Sequence, residues 1–153
     1  MSKKPIIVFE GIDCSGKSLH SNNVAYYLKK KGIKFIKIRE PGGNKNSEKI
    51  RKLILNDKSN FNKITDLLLY FAARNENIEN IIKQNVGKKI ILIDRFIDST
   101  VAYQHYGMNI DINFINTVNQ FLIKKIKVNF TFLHLVSKKN IQLRLSTRKK
   151  LNR

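Results

Sequence analysis

Residues 11–18 read GIDCSGKS and follow the apolar run PIIVFE. Gly11, Gly16, Lys17 and Ser18 satisfy the spacing G-x-x-x-x-G-K-[ST], which holds phosphate when it follows a strand and opens a helix. The glycines let successive backbone N–H groups wrap a phosphate, with Ile12, Asp13, Cys14 and Ser15 completing the cradle. A helix N-terminus adds partial positive charge, Lys17 reaches the β- and γ-phosphates, and Ser18 can ligate Mg²⁺. This segment is therefore expected to hold the phosphates of a nucleotide together with Mg²⁺.

Two further groups have the types and spacing to serve that ligand. Asp94 closes the apolar run IILID, where a second carboxylate near Mg²⁺ is expected in a phosphate-loop enzyme, and Arg95 beside it can hold a phosphate bidentately. Tyr70 and Arg74 are four apart and share a helix face. One suits stacking on a nucleobase and the other a hydrogen bond to a carbonyl oxygen, although the same spacing also occurs on plain helix surfaces. Ser99 and Tyr103 repeat this geometry, and Phe71 is assigned to the core. His20, His105 and His134 show no ligand spacing; His134, inside a strand pattern, is assigned to packing and the other two to the surface.

The elements that must position these residues alternate. Strand patterns fall at 5–10, 33–38, 90–94 and 129–136, and β-branched runs without helical period suit buried parallel strands. Helical patterns run from Lys17 to Gly32, over Ser47–Asn56, over Asn62–Asn85, near 98–105, over 111–125, and from Ser137 onward. Alternation of this kind predicts an α/β fold, a P-loop NTPase three-layer sandwich in which helices cover both faces of a parallel sheet. Ligands of such sheets bind beyond the carboxyl ends of the strands. Residues 11–18, 39–43 and 94–99 all lie at those ends and are expected to converge on one crevice.

Composition bounds the partners. A chain of 153 residues has the length of one domain, and a single cysteine excludes an internal disulfide. Thirty Lys+Arg against eleven Asp+Glu give a net charge of +19, which favours polyanions in general. The lysines are spread in twos and threes among Ile and Asn from Lys3 to Lys150, a pattern that reads as solvated surface, so no nucleic-acid partner is expected. The apolar run after the basic N-terminus is too short for a signal peptide and no stretch approaches a membrane span, so a cytosolic protein without a membrane partner is expected.

Taken together, FEGIDCSGKS, REPGG (39–43), YFAAR (70–74) and DRFIDSTVAYQ (94–104) resemble thymidylate kinase, in that order and at compatible spacings across nearly the whole chain. The resemblance implies a single nucleoside-monophosphate kinase domain over 1–153 that transfers the γ-phosphate of ATP to dTMP, with Mg²⁺, giving dTDP and ADP. It implies that Lys17 and Ser18 hold the ATP phosphates and Mg²⁺, that Asp13 faces the sugar of the acceptor, and that Arg39 and Arg95 hold the acceptor phosphate. Tyr70 stands where the family usually has a stacking phenylalanine, and Arg74 would bond a thymine carbonyl. Tyr103 would sit against the sugar 2′ position, Gln104 near the base, and Asp94 would act through the metal and its waters. A homodimer is also implied.

One subtype of the family carries an arginine directly after the loop acid. Cys14 occupies that position here, so the chain resembles the subtype with lid arginines, for which Arg144, Arg148 and Arg153 are the candidates. Asn44 replaces the threonine usual after the PGG turn. Family members continue beyond the point matching Arg153 with a helix and strand, so a domain lacking that C-terminal part and a last strand left as an unpaired edge are expected. Two other readings stay open: another P-loop deoxynucleoside or nucleotide kinase, and an inactive nucleotide- or nucleic-acid-binding protein.

Overall fold

The computed structural model describes residues 4–124 and 126–147. Four parallel strands, β1 (Ile6–Glu10), β2 (Phe35–Arg39), β3 (Ile90–Asp94) and β4 (Phe130–Leu133), form one sheet in the order β2-β3-β1-β4. Between them run α1 (Lys17–Lys30), α2 (Lys45–Ile54), α3 (Lys63–Asn77), a π-helical segment (Ile78–Ile82), α4 (Lys83–Asn85), α5 (Ile97–Thr100), a second π-helical segment (Val101–Tyr106), α6 (Ile112–Ile123) and α7 (Lys138–Ser146).

Period-2 alternation of the central strands loads both faces of the sheet. Ile6, Val8, Ile91 and Ile93 point to one face and pack with Ile78, Ile82 and Phe96. Phe9 and Leu92 point to the other and meet Leu28, Val24 and Ala25 of α1. A further cluster, Leu67, Phe71, Ile110 and Ile115, ties α3 to α6 and confirms Phe71 as a core residue.

Helix starts follow side-chain caps. Asn62, Asp111 and Ser137 accept hydrogen bonds from N–H groups of the first turns of α3, α6 and α7. Asn44 accepts from the N–H groups of Asn46 and Ser47, so α2 begins at Lys45 rather than at Ser47. The substitution for threonine thus retains a capping side chain. The long helix expected over 62–85 is continuous, but its stretch from Ile78 winds with five-residue hydrogen bonding before α4. The last strand is shorter than the expected 129–136 because its partner β1 turns away into the phosphate loop after Glu10. Among the described residues β4 pairs with β1 alone, and Phe130, Phe132 and Leu133 are more than half exposed.

These burials set an ordering of stabilities. Ile93→Ala, at a fully buried position of β3, is expected to cost about 3 kcal/mol in urea unfolding, and Phe132→Ala on the exposed strand about 1 kcal/mol or less. The reverse order would contradict an edge position for β4.

Candidate active site

Glu10 ends β1 and the chain enters the loop of residues 11–16, which leads into α1. Gly11 has φ 146°, and a Cβ there would lie 2.7 Å from Ser15 Oγ and 2.8 Å from the His134 carbonyl oxygen, so only glycine fits. Cys14 adopts φ 62°, a left-handed conformation that costs a non-glycine residue about 1 kcal/mol. Among the described residues Ser15 Oγ, buried in the loop, has no hydrogen-bond partner, an orphan donor of the kind a phosphate oxygen satisfies.

Lys17, at the first position of α1, is buried, with Nζ 3.3 Å from the Ile12 carbonyl oxygen and 3.7 Å from the Asp13 carboxylate. Burial, and then the neighbouring Arg95, push its ammonium below its ordinary value against the pull of Asp94, Asp13 and Glu10. A phosphate beside it would reverse that balance. Ser18 Oγ donates to Asp94 Oδ2 at 2.6 Å, which brings the two expected metal ligands together. A hydroxyl and one carboxylate are hard oxygen donors that suit Mg²⁺, an ion that keeps waters and substrate phosphates as its other ligands. Among the described residues there is no cluster of three or more His, Cys, Asp or Glu side chains able to hold a metal alone.

On the far side of Lys17 a cavity of about 460 Å³ opens at the carboxyl ends of β2 and β3. Asp13, Lys17, Ser18, Asp94 and Arg95 line its phosphate-loop end. Arg39, Tyr70, Arg74, Ser99, Tyr103 and Gln104 line the rest, so the predicted acceptor residues share one space with the loop. Arg95 has φ 70°, donates from Nη1 to the Gly11 carbonyl oxygen at 3.0 Å and to Ser99 Oγ at 3.2 Å, and donates from Nη2 to Asp13. Its guanidinium lies 5.2 Å from the centre of the Tyr103 ring. Arg39 is exposed and pairs with Glu48 at 3.3 Å. Burial pushes the Glu48 carboxyl up, but the Gly43 N–H, Arg39 and Arg51 together hold it below its ordinary value.

Arg51, within the helical pattern over Ser47–Asn56 and in no motif of its own, also lines the cavity and donates to the Pro41 carbonyl oxygen at 2.7 Å. Burial, then Arg39, push its guanidinium below its ordinary value. Its spacing from Arg39 and Arg95 in sequence gave no sign that the three meet. Tyr70 is half-buried, and burial followed by Asp66 raises its phenol, which keeps the ring neutral at neutral pH.

Arg74 is the most enclosed of these cations. Nε donates to Glu40 at 2.7 Å, Nη1 to Asn119 at 2.7 Å, and Nη2 to the Phe96 carbonyl oxygen at 3.0 Å and Thr100 Oγ1 at 2.9 Å. Among the described residues, four of its five N–H groups are thus engaged by protein, which leaves one on Nη1. Glu40, Thr100 and Asn119 carry no motif of their own in the sequence; here they come together as acceptors for Arg74. Burial pushes the Glu40 carboxyl up, with Arg74 opposing.

Over the loop from the other side, Arg144 of α7 donates from Nη1 to the Cys14 carbonyl oxygen at 2.8 Å. Arg148 and Arg153 lie outside the described residues. His134 packs against Phe9 and His20, with ring centres 6.0 and 5.0 Å away. His105, expected at the surface, is half-buried and its Nδ1 meets the Ile110 carbonyl oxygen at 2.8 Å. Among the described residues no helix is long and apolar enough to cross a membrane.

Residues 9–153 match the family model for thymidylate kinase. The chain is 43% identical over 127 residues to the thymidylate kinase of Thermosipho africanus, covering 82% of this chain and 63% of that one. It is 44% identical over 129 residues to that of a Sulfurihydrogenibium species, covering 83% and 63%. The crystal structure of thymidylate kinase from Ehrlichia chaffeensis matches with a TM-score of 0.83 at 37% identity, over 94% of this chain and 83% of that chain. The matched part of the chain thus spans 63% of the length of the first two relatives.

The Arg74–Glu40 pair gives a test of the site's internal electrostatics. Arg74→Ala leaves a buried carboxylate unpaired and is expected to cost about 3–5 kcal/mol, and Glu40→Gln less. Because the folded-state Glu40 pKa lies above its ordinary value of 4.5, the folded protein binds that proton better than the unfolded chain does. The wild type should therefore lose stability from this group as pH rises above that value, and Glu40→Gln should remove the component. Urea unfolding of the wild type and Glu40→Gln across pH decides it; identical pH profiles would contradict the assignment.

Proposed function

The chain belongs to the thymidylate kinase family, and from that premise we propose that it transfers the γ-phosphoryl group of ATP to dTMP, giving ADP and dTDP. The observation that carries this reading is one cavity shared by a phosphate loop and a set of cations, with the Ser18–Asp94 pair between them. An ATP loop facing a second anion-holding wall suits transfer between two phosphates rather than hydrolysis alone.

In this reading the loop N–H groups, Ser15 and Lys17 hold the β- and γ-phosphates of ATP. Mg²⁺, held by Ser18 and by Asp94 through water, would neutralise charge on the phosphate oxygens. Arg95, with Arg39 and Arg51 at the rim, holds the dTMP phosphate and aims one of its oxygens at the γ-phosphorus. That oxygen forms the new P–O bond as the bond to ADP breaks, so no covalent enzyme intermediate is needed, and catalysis is positioning and charge stabilisation. Tyr70 stacks on thymine, the remaining N–H of Arg74 bonds a thymine carbonyl, Gln104 lies near the base, and Tyr103 crowds the sugar 2′ position. Asp13 faces the sugar while orienting Arg95. Arg144, from above the loop, supplies the transition-state charge that Cys14 lacks. The proposal includes a homodimer, for which the exposed Leu68 of α3 and Phe121 of α6 offer apolar surface, and a cytosolic setting, which suits dissolved nucleotides.

ADP release with Mg·ATP is measured with and without dTMP, against dUMP, dCMP and AMP. Turnover is expected with dTMP; Lys17→Ala and Arg144→Ala are each expected to lower kcat by about 10²–10³-fold or more. ADP release that does not depend on any nucleotide acceptor would overturn the proposal, and full activity in Arg144→Ala would remove that residue's role.

A further inference from the structure

Glu10 is the last residue of β1, is 3% exposed, and has no role in the scheme above. Among the described residues no cation lies within ion-pair distance of its carboxylate. Its oxygens are spent on one segment instead. Oε1 accepts the N–H groups of Phe96 at 2.7 Å and Ser99 at 3.3 Å, and Oε2 accepts the Ser99 hydroxyl.

That segment carries Arg95. The Ser99 hydroxyl has one proton, and it is committed to Glu10, so the lone pairs of Ser99 Oγ are turned toward Arg95, whose Nη1 donates to them at 3.2 Å. The Arg95 backbone N–H donates to the Phe9 carbonyl oxygen at 3.0 Å. Arg95 is thus held at both ends by β1, through Phe9 at the backbone and through Glu10 and Ser99 at the guanidinium. Its left-handed φ of 70° is a strained conformation that persists only where neighbours over-determine it.

We propose that Glu10 is a positioning residue for the acceptor nucleotide: its buried carboxylate fixes the donor direction of Ser99 and thereby aims Arg95 at the acceptor phosphate. The inference rests on the acceptor role given to Arg95 above. It assigns Ser99 to orienting Arg95 rather than to touching the nucleotide, and it makes the carboxylate's charge, not its size, the working property. In Glu10→Gln the amide nitrogen would donate to Ser99 Oγ, reversing that hydrogen bond and turning the hydroxyl proton toward Arg95, where it repels the guanidinium.

Calorimetric binding of dTMP and, separately, of Mg·ATP to the wild type, Glu10→Gln, Ser99→Ala and the double variant tests this, with folding checked by circular dichroism. Glu10→Gln is expected to weaken dTMP binding about tenfold, as loss of a charge-assisted bond would, with Mg·ATP changed by about twofold or less. Ser99→Ala is expected to weaken dTMP binding by about fivefold, and the double variant to be no worse than Glu10→Gln alone, because the two act as one unit. Equal weakening of both nucleotides would indicate a general structural role and overturn the proposal, as would additive losses. Should Glu10→Gln fail to fold, Ser99→Ala carries the same test, and unchanged dTMP binding in it overturns the proposal. A wild type that binds dTMP but releases no ADP would overturn the kinase reading while leaving the Glu10 comparison intact; a wild type that does not bind dTMP overturns both.

Discussion

The parallel pairing of β1 with β3 is the constraint on which the site depends. Their register sets Phe9 beside Asp94, so Glu10, the last residue of β1, and Arg95, the first residue after β3, meet at the carboxyl edge of the sheet. Residues 84 apart in sequence, Gly11 and Arg95, are thereby brought into hydrogen-bond contact. The loop after one strand and the arginine after the next line one cavity because both strands run the same way and end at the same edge. Burial of both sheet faces by Ile6, Val8, Phe9, Ile91, Leu92 and Ile93 holds that register, because a one-residue slip would send each side chain to the wrong face.

Around this edge the cations fall into two classes. Arg74 is sunk among Glu40, Asn119, Thr100 and the Phe96 carbonyl, where its bonds act as structure and tie α3, α6 and the β3–α5 turn into one body. Arg39, Arg51, Arg95 and Arg144 sit nearer the surface of the cavity or loop, on carbonyl oxygens and partly exposed carboxylates. Partners of the second kind are weakly held in water-accessible surroundings and can be exchanged for phosphate oxygens, whereas unpairing Arg74 would strand a buried carboxylate. Burial thus decides whether a guanidinium is fixed by protein partners or is open to exchange.

Backbone strain follows a similar division. Cys14 and Arg95, both left-handed and neither glycine, lie on the two sides of the proposed phosphate path. Such conformations are kept where surrounding bonds impose them, here the loop closure over Gly11 and the Glu10–Ser99–Arg95 chain. In the proposed reaction that cost is offset by a guanidinium held in place before the acceptor arrives.

Much of this was legible from local pattern. The spacing of Gly11, Gly16, Lys17 and Ser18, the β-branched runs, the helix starts near Asn62 and Ser137 and the acid at the end of IILID each express a short-range rule, since strands, helix ends and loops are governed by neighbours within a few residues. The order of the motifs also carried the resemblance to the family whose model residues 9–153 match. Other features belonged to the tertiary structure alone. Glu10 meets Phe96 86 residues away, Arg74 meets Glu40 34 away and Asn119 45 away, and Arg51 joins Arg39 and Arg95 only because α2 folds back over the end of β2. A buried carboxylate or amide reads as an ordinary polar residue in sequence; its work is defined by which donors it faces, and packing decides that.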